Sequence, residues 1–237
     1  MRPPVPRPLL LALLLLALLP CGAASARSAF QARCEDTIAK TVSMLSTVQH
    51  GYTIDNSLSF RRLTAMKAPG QPNSFVLGLT KTESRVSVKL DGRILQDRAS
   101  GLECVAPQIK VALFYAPIVV YIGHEFVPGT CPYNQILAHE MRHLNTYLGH
   151  LPKVESVVRA ALARRFEGKP LYAPIGQAQA LLEQEIDTGW MPYMKREMAA
   201  VEVQQAAIDT PKEYARLSKV CKGEVQSFIA PVRRGRR

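Results

Sequence analysis

The stretch LAHEMRHLNTYLGH, residues 137 to 150, holds three of the chain's five histidines. His139 and His143 are four residues apart, and Glu140 directly follows the first. On a helix, residues i and i+4 lie about one turn apart, so two imidazoles at that spacing can reach one ion from the same side. Glu140 would be rotated by about 100° from His139. That direction suits a third ligand poorly, but it suits a base that takes a proton from water activated at the metal. Leu137, Met141, Leu144 and Leu148 form an apolar stripe at helical period, with His139, His143 and His150 nearly opposite. The stripe must meet a core, so the histidines face solvent or a cleft. The competing reading is a solvated helix face that carries imidazoles and no ion.

A catalytic zinc site takes three protein ligands and keeps one position open. His150 shares the face of His143, but seven residues of helix separate them by about 10 Å. It could reach the same ion only if the helix broke at Gly149; otherwise it is expected near the helix end, where a partly positive ring suits the dipole. Further on, Tyr193, Met194, Met198, Val201 and Ile208 form a second apolar stripe, with Glu197 in its middle. A carboxylate among apolar neighbours needs a compensating partner. Glu197 is therefore the expected third ligand, with a buried Arg or Tyr partner as the competing explanation. Asp209, Glu183 (with Asp187 four residues on) and Glu202 stay open as alternatives, although Glu202 projects off the stripe and reads as solvated. Tyr147 and Arg142 flank the histidines, and either could donate to a developing oxyanion. His50 and His124 read as ordinary loop residues.

His139-Glu140-Met141-Arg142-His143 is an H-E-x-x-H arrangement and resembles that of the zincin metallopeptidases. More loosely, the N-terminal leader, the mixed front half, GTCPYNQILAHEMRH and a helical tail containing QQAAIDTPKEY look like a group of small exported bacterial proteins described as secreted zinc-dependent proteases. The resemblance implies zinc on His139 and His143, Glu140 as general base, and a strand beside the site that pairs with the substrate backbone. It implies a peptide or protein substrate, the cell envelope included. The chain departs from the metzincin pattern, with Thr146 and Gly149 where a glycine and a third histidine would stand. The AAIDT segment resembles an acidic patch of the looser group, which keeps Asp209 in contention. A reading from another class is an exported envelope-associated or binding protein whose motif is structural or vestigial.

The elements that position these residues follow from patterning. Arg2 and Arg7, the apolar run Leu9 to Leu19, and Ala24-Ser25-Ala26 have the order of a secretory leader, with cleavage expected after Ala26. The run is too short to span a bilayer comfortably. Cys34, Cys104, Cys131 and Cys221 then remain, an even count that suggests two disulfides in an exported chain. Sequence alone does not separate the three possible pairings. The one expected joins Cys131 at the start of the motif helix to Cys221 at the end of the helical tail, leaving Cys34 for Cys104.

Residues 41–54 are expected to hold one or two strands, Ser57 to cap a short helix through Met66, and APGQPN to break it. FVLGLT and RVSVKL read as strands, with Asp91-Gly92 as a hairpin turn. Residues 109–114 and 118–122 are the most strand-like, and helical period dominates from Pro132 onward. The expected fold is α+β, with a β-rich, mostly antiparallel front half packed on a helical back half in one domain, residues 27–225. Loss of Arg2 and Arg7 with the leader lowers the formal charge from +11 to +9, and Arg233, Arg234, Arg236 and Arg237 carry four of those charges. That basic tail, residues 226–237, reads as disordered and able to touch an anionic surface. No aromatic residues interleave with the basic ones, so nucleic-acid binding is not expected.

Overall fold

The computed structural model describes residues 27–38, 43–67 and 75–229. The leader, the APGQPN break and residues 230–237 of the tail lie outside them. From the N-terminus the chain forms α1 (Ala29–Ile38), β1 (Ser43–Thr47), β2 (Tyr52–Asp55), α2 (Phe60–Met66), β3 (Gly78–Lys81), β4 (Ser84–Asp97), β5 (Leu102–Tyr115) and β6 (Ile118–Ile122). The motif helix α3 (Cys131–Phe166) follows, then β7 (Leu171–Pro174), α4 (Ala178–Glu185) and a π-helical turn over Ile186–Trp190. α5 (Met191–Ala199), α6 (Val201–Ala206), α7 (Pro211–Leu217) and α8 (Glu224–Ile229) complete it. The fold is α+β, with the strands mainly in the front half and helices behind.

Two sheets share the strands. In the first, β5 is central, antiparallel to β4 along one edge and paired with parallel β1 and antiparallel β7 along the other. In the second, β6 lies between parallel β2 and antiparallel β3, which leaves β3 at the sheet edge. Each sheet thus contains a parallel pair that the expectation of antiparallel strands did not include. Ile109, Val111, Leu113 and Tyr115 of β5 pack on Leu144, Leu151, Val154, Val158 and Leu162 of α3, with Met194 and Met198 of α5 closing the core. A second cluster joins Val120 and Ile122 of β6 to Phe60, Tyr133 and Ile136. α3 therefore spans both sheets, and this positions its histidines.

Three local expectations change. Asp91-Gly92 is no turn, because β4 runs through it with Gly92 opposite Pro107. A Cβ at Gly92 would stand 2.6 Å from the Ala106 carbonyl oxygen, so this glycine serves close strand approach. The chain reverses instead at Gly101, whose φ of +72° suits glycine. α2 is capped by Ser59, whose hydroxyl accepts from the Arg62 N–H, two residues later than expected. α3 does not end near His150 but continues through Pro152 to Phe166, because Leu151, Val154, Val158 and Leu162 keep the helical apolar period and are buried. α8 also crosses the expected domain boundary at 225.

The disulfides are Cys34–Cys104 and Cys131–Cys221, the expected pairs. The second ties the first turn of α3 to the segment before α8. At sequence separations of 70 and 90, loop-closure entropy alone is worth about 4 kcal/mol each. No helix among the described residues is long and apolar enough to cross a membrane.

Glu103, only 1% exposed, accepts from the Ala178 N–H at 2.8 Å and from Gln96 Nε2 at 2.9 Å. Hydrogen bonds from the Gly176 and Ala178 backbone, at the start of α4, hold its carboxyl below the ordinary range. A folded pKa below the unfolded one contributes stability above the unfolded value of about 4.3, and that contribution is lost as pH falls through the folded value. Glu103→Gln should cost about 1–2 kcal/mol at neutral pH in denaturant titrations, and the difference should shrink at pH 3. An equal difference at both pH values would reject this account.

Candidate metal centre

Thr130 caps α3 by accepting from the Tyr133 N–H, and Pro132 sits in the first turn, where its missing donor costs nothing. Two turns in, His139 and Glu140 are buried, and the His143 side chain is 13% exposed. The histidines face a cleft of about 480 Å³ bounded by α3, β3 and the segments from α6 to α8. The apolar stripe that turns them away from the first core is real, but α6 and α7 cover their side. Of the face expected to meet solvent or a cleft, His139 and His143 meet the cleft, whereas His150 is buried against Tyr115 of the first core.

Three lone-pair donors converge there. His139 Nε2 lies 3.1 Å from Asp209 Oδ1, His143 Nε2 lies 3.3 Å from the same oxygen, and the two Nε2 atoms are 3.2 Å apart. A tetrahedral zinc with bonds of about 2.0–2.1 Å has ligand–ligand edges of about 3.3–3.4 Å, close to this triangle. The outer ring nitrogens are occupied. His143 Nδ1 lies 2.6 Å from Gln205 Oε1, and Gln205 Nε2 donates to the His143 carbonyl at 3.1 Å, which fixes the amide's orientation. His139 Nδ1 lies 3.2 Å from Glu213 Oε1, a carboxylate also held by Arg142 and Arg216. With its Nδ1 proton directed at the Gln205 amide oxygen, His143 turns its Nε2 lone pair to the shared place, as outer partners of metal-ligating histidines arrange. His139 Nδ1 sits between the Glu213 carboxylate and Arg142 Nη2, 2.7 Å away, and a proton on it is the tautomer that metal binding would select. His139, His143 and Asp209 form a group that could hold a metal ion. A cation there would take the place of the ring protons that otherwise separate these three polar atoms.

Burial pushes the Asp209 carboxyl up, but hydrogen bonds donated by the two histidine rings, the His143 charge and Lys67, whose Nζ is 3.6 Å from Oδ2, hold it far below the ordinary range. A metal ion would take the place of those ring protons. Arg216, then His139 and Arg142, bring Glu213 down to about 2. Of the six buried polar or charged residues among those described, four (His139, Glu140, Gln205 and Glu213) belong to this centre. Polar groups are costly to bury unless they are compensated, so their concentration here marks a built site.

Glu140 does not join the triangle. Its Oε2 accepts from Thr80 Oγ1 at 2.9 Å, and burial pushes its carboxyl up against the opposing pull of His143 and His139. Gly78 of β3 leaves room for it, since a Cβ there would stand 2.7 Å from Glu140 Cγ. Gly78→Ala should therefore displace the Glu140 side chain while leaving zinc content unchanged. Any hydrolysis should fall by on the order of tenfold or more, because small misplacements of reacting groups are costly. Unaltered turnover beside unaltered zinc would show that this contact does not position Glu140.

The other candidates are placed elsewhere. Glu197 is half-buried beside Tyr193 and His150 and does not line the cleft. The stripe that singled it out is broken between α5 and α6 at Ala200, and only its Met194, Met198 and Val201 members are fully buried. Asp209, not Glu197, meets the histidine pair. Glu183 is exposed and bonds Gln179, while Glu202 lines the cleft with Tyr147 Oη 3.5 Å away. His150 is buried in the α3 interior, its Nδ1 3.0 Å from Tyr115 Oη, which donates to the Met198 carbonyl. Burial keeps that imidazole neutral by lowering its pKa. Arg142 turns to Glu213 and away from any oxyanion position, whereas Tyr147 lines the cleft, its phenol pushed up to about 12 by burial and by Glu202. His124 and His50 are exposed.

Glu213, Gln205, Thr80 and Tyr214 were not singled out from the sequence. One signal was available, because Thr210-Pro211-Lys212-Glu213 has the spacing of a helix-start capping box. Thr210 Oγ1 does accept from the Glu213 N–H, at 3.2 Å. That cap places Asp209 immediately before α7, facing α3. No family model, curated protein or solved structure matches the chain.

Proposed function

We propose that the protein is an exported zinc-dependent metallopeptidase, with His139, His143 and Asp209 as the metal ligands. The convergence of two imidazole Nε2 atoms and one carboxylate oxygen in a cleft is the observation that carries the reading. When bound, zinc would supply Lewis-acid polarisation of a carbonyl and acidify water at its open position. Glu140, unattached to the triangle but opening on the same cleft, takes the proton of the attacking water and delivers it to the leaving amine. Thr80 orients that carboxylate through its hydroxyl. Tyr147 and Tyr214 line the cleft with their phenols directed at Glu202 and Asp209, and a turn of either hydroxyl would offer a donor to charge developing on the carbonyl oxygen. β3, at the edge of its sheet and contributing Gly78, Leu79 and Thr80 to the cleft, offers a backbone for an extended substrate to pair with.

The experiment is hydrolysis of an unstructured protein such as casein by the zinc-loaded mature chain, beside Glu140→Gln. Cleavage by the first and not the second supports the proposal. Zinc retention with no cleavage by either would favour the non-catalytic binding reading. Export rests on the leader pattern and is compatible with the two disulfides. N-terminal sequencing of extracellular or periplasmic material should begin at Arg27; an intact Met1 in a membrane fraction would reject the leader.

A further inference from the structure

The cleft has two chemically different ends. At one, Ile136 lies one turn before His139, and Leu77 and Ile229 pack against its cluster. Leu217 and Val225 line the cleft beside them, flanking Cys221, which is bonded to the first residue of α3. This end is apolar, and Ile136, Leu217 and Val225 are buried. At the other end, Tyr147 lies one turn beyond His143, and α6 brings Glu202 to it. Glu140 and Asp209 are committed to the metal chemistry, but Glu202 is not. Among the described residues no lysine or arginine pairs with Glu202, although the chain as a whole carries +11.

Ile136 and Tyr147 are eleven residues apart on one helix, about 16 Å. An extended peptide covers that distance in about five residues, with the histidine pair between its ends. We infer that the cleft takes an extended peptide lengthwise along α3. A large apolar side chain occupies the Ile136 end, and a cationic group, a lysine or arginine side chain, sits at Glu202. The inference rests on the peptidase reading for its substrate class and extends it to sequence preference. The apolar end rewards burial of a ring removed from water. The acidic end adds a salt-sensitive attraction of the modest size expected for an exposed carboxylate.

Binding reads this without turnover. Zinc-loaded Glu140→Gln protein is titrated, by fluorescence anisotropy, with dye-labelled hexapeptides carrying phenylalanine and lysine about four residues apart, in both orders. Control peptides have glutamine for lysine or alanine for phenylalanine. One order should bind best, with loss of the ring weakening it on the order of tenfold or more and loss of the lysine by about fivefold at low salt. Glu202→Gln should abolish the lysine preference and leave the phenylalanine preference intact. Equal binding of all peptides, or a lysine preference that survives Glu202→Gln, would overturn the inference. Because the readout is binding to a hydrolysis-deficient variant, absence of casein cleavage would count against the peptidase reading alone.

Discussion

On the proposed metal reading, the wild-type chain is expected to retain zinc through dialysis, Asp209→Asn to lose it and Glu197→Gln to keep it. Wild type should hold about one ion per chain, because three ligands from two rigid helix contexts meet at separations a tetrahedral centre requires. Asn offers a neutral oxygen in place of the charge that balances the dication, so affinity should fall by well over a hundredfold. His143→Ala should behave the same way, removing a ligand outright. Glu197 does not line the cleft and lies next to Tyr193 and His150, so its neutralisation changes no ligand. Elemental analysis after dialysis decides the matter, and loss of zinc from Glu197→Gln with retention by Asp209→Asn would reverse the ligand assignment. Metal content unmoved by His139, His143 and Asp209 substitutions would remove the metal centre altogether. Iron in place of zinc on the same residues would point to the two-histidine, one-carboxylate chemistry of non-haem oxygenases.

The second large effect separates Glu140 from the ligands. Glu140→Gln should keep about one zinc per chain and lose hydrolysis on the order of a thousandfold, since a general base contributes about that much. The geometry supports the split, because the Glu140 carboxylate is bonded to Thr80, outside the His139, His143 and Asp209 triangle. Glutamine is nearly isosteric and can still accept from Thr80, so the fold around it should persist. Steady-state rates with zinc content measured on the same samples provide the check. A variant that loses metal along with activity would make Glu140 a ligand, and one that keeps both would remove it from the chemistry.

Much of this was legible in one dimension. The period of Leu137, Met141, Leu144 and Leu148 and the four-residue spacing of His139 and His143 are properties of a helix, and a helix makes neighbours from fixed offsets. The α+β division likewise followed from patterning, whereas the disulfide pairs were one choice among three that chain order alone does not separate. What the chain order could not decide was which distant carboxylate meets the histidines. Asp209 is 66 residues from His143, and its approach depends on how α6 and α7 cross α3, which is a matter of packing. Glu197 was singled out because Met194, Met198 and Val201 around it are apolar, and those three are buried, but the Glu197 side chain itself is only half-buried and does not reach the cleft. Gly92 misled for a similar reason, since its local preference for a turn was outweighed by continuous pairing of β4 with β5, and the helix end expected near His150 gave way to the buried Leu151, Val154 and Val158 beyond it. The sequence by itself determined which residues could reach an ion together from one helix. Only tertiary packing decided what completes the site, because a third ligand is a long-range contact and no local periodicity records it.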